Sequence, residues 1–175
     1  MRLKTKFEQQ ADGKEAKYVG YKAVTPEGEI VGASYWRKPG YRTPQLDLSK
    51  MSEEEKESYR GWDTVKYNNF KQACQEGMDK VLAEKGDKNG CWYLQILVLH
   101  PDWQKKQIGQ RLLDHHLAQI DSSEPRPAWL ESSPAGLKLY ESRGFKVEVL
   151  MKAEGWNSVA PEGFKGCYRP AQKAN

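Results

Sequence analysis

CWYLQILVLHPDWQKKQIGQRLL, residues 91–113, is the stretch from which the rest of the chain is read. Its first part, Cys91 to Leu99, is short and almost continuously apolar. Such a run suits a central strand covered on both faces, and it is far short of a membrane span. Pro101 ends it. Ile108, Leu112, Leu113, Leu117 and Ile120 then recur at helical spacing, which predicts a helix from about Gln107 to Ile120. A strand therefore turns sharply into a helix across Pro101 to Ile108. The first amides of a helix have no partner inside it, and the helix dipole places partial positive charge there. Phosphate is the matching ligand. Lys105 and Lys106 add positive charge, and Gly109 lets a ligand come close to the backbone. The plain alternative for the same residues is a strand-to-helix turn with solvated lysines.

Working outward, Pro127 to Ser132 reads as a strand. Pro134 to Arg143 reads as a short helix with Ser133 at its N-cap, Pro134 at its first position and Gly144 closing it. Phe145 to Met151 alternates like a strand, and Lys165 to Arg169 forms a last short one. Upstream, Lys17–Val24 and Glu29–Arg37 flank Thr25-Pro26-Glu27-Gly28, which has β-turn chemistry, so the pair is expected to be an antiparallel hairpin. A Pro/Gly loop follows. Ser52 and Glu55 match a capping box. A long helix is expected from Asp63 to Lys85, with Tyr67, Phe70, Cys74, Met78 and Val81 as its apolar stripe and Gly86 as its terminator. The order of elements gives an α/β fold with a mixed sheet.

A length of 175 residues suits one domain. With 38% hydrophobic and 30% charged residues, and many Trp and Tyr, the composition is globular. The net charge of +4 suits a polyanionic small ligand, while the absence of any dense basic run argues against a nucleic-acid partner. Met1 to Gln10 has no apolar segment of the signal-peptide kind. Cys74, Cys91 and Cys167 are scattered and odd in number, which argues against a disulfide framework or a zinc site and makes a reducing cytosol the natural compartment. His115 and His116 are adjacent, so on a helix they diverge and make a poor metal pair. No metal is expected.

Taken with the loop, Leu130-Glu131-Ser132-Ser133-Pro134-Ala135-Gly136-Leu137 and the following Tyr140, Gly144 and Phe145 make the sequence resemble the GNAT superfamily of acyl-CoA-dependent N-acyltransferases. The nearest pattern is its fungal-type branch, with V-H-P-x-Y-Q-G-R-G-I-G followed by L-E-A-S-P-A-G-x-x-L-Y-x-x-x-G-F. The resemblance covers about Tyr93 to Phe145 and extends more weakly to the hairpin. It implies a mixed, mostly antiparallel sheet flanked by helices in a single domain spanning residues 1–175. The start would be shortened, and a helical insertion would occupy about residues 50–86; either that segment replaces the usual wall of the acceptor site, or the chain is a shortened form or a fragment.

For function, the resemblance implies acetyl-CoA as co-substrate. Gln104, Lys105, Lys106, Gln107, Ile108, Gly109 and Gln110 would hold its pyrophosphate. Val98 and Leu99 would offer backbone groups to the pantetheine arm, and Ser133 would bond that arm or cap its helix. Tyr140 would donate a proton to the departing thiolate. Glu131 or His100 would take the proton of the acceptor amine. Lys105 and Gln107 stand where the family loop has glycines. If Gln107 must turn left-handed, a strain of about 1–2 kcal/mol follows, which is small beside the ~8 kcal/mol of a micromolar ligand. The expected activity is acetyl transfer to a primary amine of a small molecule. A peptide or protein lysine is the variant acceptor, and a non-catalytic CoA-binding module is the alternative. A nucleic-acid-binding domain using lysine clusters with exposed aromatics such as Trp36, Tyr41 and Trp62 ranks last. Aromatics between residues 35 and 70 would line a substrate pocket or a homodimer contact, and both stay open.

Overall fold

The computed structural model describes residues 2–9, 17–123, 125–152 and 162–172, with side chains from residue 17 onward. The hairpin forms as its turn chemistry requires. Strands β2 (Tyr18–Val24) and β3 (Ile30–Arg37) pair antiparallel. The Gly28 amide donates to the Thr25 carbonyl at 3.0 Å, and Gly28 takes a positive φ of 97° that only glycine adopts without strain.

A strand not expected from the sequence, β1 (Arg2–Gln9), adds to β2 antiparallel. Its signal was the alternation of Leu3, Thr5 and Phe7 with charged residues. The expected shortened start therefore carries a strand, and most of the link to β2, residues 10–16, lies outside the described residues.

Helix α1 (Glu53–Glu57) starts on the Ser52–Glu55 capping box. Helix α2 (Thr64–Lys85) has Asp63 accepting from the Lys66 amide and ends on left-handed Gly86. Both fall between β3 and β4 (Trp92–Leu99). Helix α3 (Ile108–Ser123) then crosses over to β5 (Ala128–Ser132), which runs parallel to β4. After α4 (Leu137–Glu141) come β6 (Lys146–Met151) and β7 (Phe164–Arg169), and β7 inserts between β5 and β6. The seven strands lie in the order β1-β2-β3-β4-β5-β7-β6, all antiparallel except β4 with β5. No described helix is long and apolar enough to cross a membrane.

The sheet buries both faces, each against a different helix. Leu112 and Leu113 of α3 pack with Trp36, Leu94, Leu130 and Phe145. Cys74 and Met78 of α2 pack with Tyr93, Trp129, Phe164 and Tyr168. Three sequence expectations need correction. The second half of β4 is not covered on both faces: Ile96 and Val98 are about half exposed, because α2 packs on β6 and β7 and leaves the far end of β4 open. Trp36, taken as an exposed aromatic, is fully buried. Ser133 does not cap α4. Pro134 to Gly136 form a turn closed by the Gly136 amide on the Ser133 carbonyl, so the helix starts only at Leu137 and has no side-chain cap.

Gly166 lets β7 pass beneath Trp129. A β-carbon there would lie 2.6 Å from both Trp129 Cη2 and Val149 Cγ1, and Trp129 is fully buried with no room to move. Gly166→Ala is expected to lower stability by about 1–3 kcal/mol, read as a shift of the urea midpoint at unchanged m.

Candidate active site

The site is built on a parting of strands. β4 pairs with β5 only at Trp92↔Ala128, Tyr93↔Trp129 and Leu94↔Leu130. Beyond that point β4 stays with β3 as far as Gly32↔Leu99, while β5 stays with β7 through Glu131↔Gly166 and Ser132↔Lys165. The cause is local. Leu94 and Ile96 face consecutive β3 residues, Trp36 and Tyr35, so Gln95 is an extra residue in β4. A bulge of this kind bends its strand and increases its twist. The inner edges of both strands beyond Leu94 and Leu130, Val98 and Leu99 included, then carry peptide groups without a strand partner, which water or a ligand must satisfy.

The loop after β4 leads to the start of α3. His100 Nδ1 accepts from the Asp102 amide at 3.3 Å and begins a 3-10 turn, Pro101–Trp103. This leaves His100 exposed at the loop. Lys105 and Gln107 both take left-handed conformations, with φ of 58° and 61°. Alternation of left- and right-handed residues turns successive amides toward one concavity, a shape that binds anions. The unpartnered first amides of α3, at Ile108, Gly109 and Gln110, follow directly. Buried Ile108 anchors the helix start, and Gly109 packs close to β4: a β-carbon there would lie 3.4 Å from Leu99 Cδ1. Gln104, Lys105, Lys106 and Gln107 are exposed. The Lys106 ammonium sits 4.7 Å from the centre of the Trp103 ring.

On the α3 face of the parting lies Tyr140. Arg143 makes two bonds to the Asp114 carboxylate, 2.8 and 3.0 Å, and so pins the end of α4 to α3. The Tyr140 ring packs on the core near Phe145. A β-carbon at Gly136 would lie 2.9 Å from Tyr140 Cε2 and 3.5 Å from Ser132 Oγ, so this glycine makes room for the ring beside the end of β5. Burial, with a smaller effect of Cys167, pushes the Tyr140 phenol up to about 12, so it stays protonated at neutral pH. Ser133 is half-buried in the adjoining turn.

Glu131 lies on the opposite, α2 face. Tyr93 Oη donates to its Oε2 at 2.5 Å and Trp129 Nε1 to its Oε1 at 2.6 Å. Burial raises the Glu131 carboxyl above its ordinary value, opposed by these two bonds and by Lys71 and Arg37. The two cations flank the Tyr93 ring, with the Arg37 guanidinium 4.7 Å and the Lys71 ammonium 5.4 Å from its centre. Arg37 donates to Thr43 Oγ1 at 3.0 Å and to Gln75 Oε1 at 3.3 Å, and Gln95 at the bulge donates to the same Thr43 oxygen at 2.5 Å. None of Tyr93, Lys71, Arg37 and Thr43 was singled out from the sequence. Lys71 left a trace there, because it falls on the Tyr67–Cys74–Met78 stripe of α2, where a charge is out of place. A small cleft of about 250 Å³ lined by Thr43, Lys71 and Gln75 opens onto this cluster. Two larger cavities, about 840 and 730 Å³, lie near the Gly40–Tyr41 loop rather than at the parting.

Residues 67–147 match the family described as acetyltransferase (GNAT) domain. No curated protein matches the sequence significantly. Among solved structures the chain is similar to arylalkylamine N-acetyltransferase 2 from Aedes aegypti, at 14% identity and a TM-score of 0.60, covering 86% of this chain and 72% of that one. A Corynebacterium glutamicum protein described as histone acetyltransferase HPA2 and related acetyltransferase gives 18% identity and 0.55, covering 91% and 67%. A NatC complex bound to a Gag peptide and CoA gives 14% and 0.50, covering 87% and 71%. The architecture is that of the GNAT fold.

Left-handed Lys105 and Gln107 are strained where glycine would not be. Gln107→Gly is expected to raise stability by up to about 1 kcal/mol, the relief of strain exceeding the added chain entropy. Gln107→Val is expected to lower it by more than ~1 kcal/mol, since a β-branched side chain fits that region worst. Thermal unfolding of the two variants against the parent protein checks both signs.

Proposed function

We propose that the protein is an acetyl-CoA-dependent N-acetyltransferase that passes the acetyl group directly to a primary amine of a small molecule. The observation that carries this reading is the parting of β4 from β5, with left-handed Lys105 and Gln107 and the free first amides of α3 at one end and a phenol and a carboxylate on its two faces. In this reading the amides from Gln104 to Gln110 hold the pyrophosphate, with Lys105 adding charge beside them. The free edge of β4 at Val98 and Leu99, and Ser133 across from it, bond the pantetheine arm. Acetyl-CoA supplies an activated thioester, which lies in the gap between the strands.

The residues then divide the proton work. An alkyl ammonium has a pKa near 10, so the acceptor must lose a proton before it attacks. Glu131 takes that proton, and its raised proton affinity suits it to do so near neutral pH. As the new C–N bond forms and the C–S bond breaks, Tyr140 donates its proton to the sulfur. The cleft of about 250 Å³ above Lys71 has room for a small amine acceptor. A non-catalytic CoA-binding module is the second reading, motivated by the strained, glycine-poor loop. The three described cysteines are all free, which supports a cytosolic setting.

Tyr140→Phe is expected to lower kcat by about 10²–10⁴-fold with CoA affinity by calorimetry unchanged. If turnover is the same in the variant, the non-catalytic module or another donor takes its place. In the pH profile of kcat, the acid limb should fall as Glu131 becomes protonated, at a pH above the ordinary carboxylate range. Glu131→Gln should lower the plateau by about 10²-fold or more and remove that limb, and a limb that survives the substitution assigns the base elsewhere.

A further inference from the structure

The polar cluster beneath α2 is unbalanced in charge. Its inner part holds two cations, Arg37 and Lys71, and one carboxylate, Glu131. Both Glu131 oxygens are already engaged by Tyr93 and Trp129. Arg37 is 2% exposed, and its Nε has no partner among the described residues. Lys71 stacks on Tyr93 and reaches no carboxylate within ion-pair distance among the described residues. Burial lowers the proton affinity of both cations, the sign of charge held away from water without full compensation.

Lys71 and Thr43 also line the 250 Å³ cleft, together with Arg42, Gln45, Gln72, Gln75, Glu76 and Asp79. Of the outer charges, Arg42 pairs with Asp79 at 2.9 Å, while Glu76 accepts from Gln72 at 2.8 Å and keeps its charge at the exposed mouth of the cleft, away from the buried inner end. The inner end of the cleft meets the parting of the strands twice, through Thr43 on Gln95 and through Lys71 on the Tyr93 that holds Glu131. A group bound against Lys71 is thus placed beside the Glu131 carboxylate.

We propose that the acceptor carries an anionic group in addition to its amine, and that Lys71 binds this group in the cleft between residues 42–45 and α2, with the amine turned toward Glu131. This rests on the acyltransferase reading and narrows its substrate class to amino acids and similar short amines bearing a carboxylate or phosphonate. The anion completes the charge balance of the cluster, and the amine reaches the base. Lys71 acts as a specificity residue and takes no part in the proton transfers.

The test is a set of NMR titrations of the CoA-saturated full chain with three probes of matched length: propylamine, β-alanine and 2-aminoethylphosphonate. At least one anionic probe should bind about 10-fold or more tightly than propylamine and shift the signals of Lys71 and its neighbours. Comparing the two anionic probes identifies the anion as carboxylate or phosphonate. Lys71→Met should remove the difference between anionic and plain probes, and Lys71→Arg should keep it. Equal affinity for all three probes, no binding of any, or a preference that survives in Lys71→Met overturns the inference. Calorimetry of CoA binding to the same samples is read separately: failure to bind CoA defeats the acyltransferase reading, whereas CoA binding with no anion preference defeats only the inference.

Discussion

Everything at the candidate site depends on β4 leaving β5 after three paired residues. A parallel pair that stayed in register would bury its peptide groups and offer nothing to a ligand. One extra residue, Gln95, changes this by bending β4 along β3 while β5 follows β7. The same bulge decides which side chains face which helix: Leu94 and Leu97 pack on the α3 side, and Ile96 and Val98 look out on the other. The sheet is thereby opened without losing its core, because the paired half of β4 still holds Tyr93 and Leu94 at 4% exposure.

The opening separates two ionisable groups with unlike surroundings. Tyr140 sits among apolar groups on the α3 side, and burial keeps it protonated. Glu131 sits on the α2 side among donors and cations that hold a carboxylate in a position which burial alone would make costly. One β-strand end, Glu131-Ser132, serves both faces because successive side chains point to opposite sides. Helix α2, which falls between β3 and β4 in the chain, supplies Lys71 and Gln75 to that second face.

Much of this was legible in the chain itself. The hairpin turn, the capping box, the Asp63 and Gly86 ends of α2 and the helical repeat of α3 are local matters, settled by residues a few positions apart. The left-handed turns at Lys105 and Gln107 were foreseeable only because glycines stand there in the patterns the sequence resembles. Other features were not local. The sequence shows β4 as an unbroken apolar run, and nothing in such a run reveals that Ile96 and Val98 lack a covering helix. Ser133-Pro134 has the composition of a helix start, yet Gly136 delays the helix by three residues. Strand β1 alternates visibly, but its charged composition hid it.

By itself the sequence determined the succession of elements from β2 onward and the strand-to-helix turn with its amides and lysines, because each depends on periodicity or turn chemistry, and it pointed to Tyr140 and Glu131 through the motif it shares with the patterns it resembles. Only the tertiary structure decided that those two groups flank one gap from opposite faces. It alone brought Arg37, Thr43, Lys71, Tyr93 and Glu131 together from β3, a loop, α2, β4 and β5. The physical reason is that strand pairing and helix packing join residues tens of positions apart, and the charge left unbalanced by that assembly belongs to no single stretch of chain.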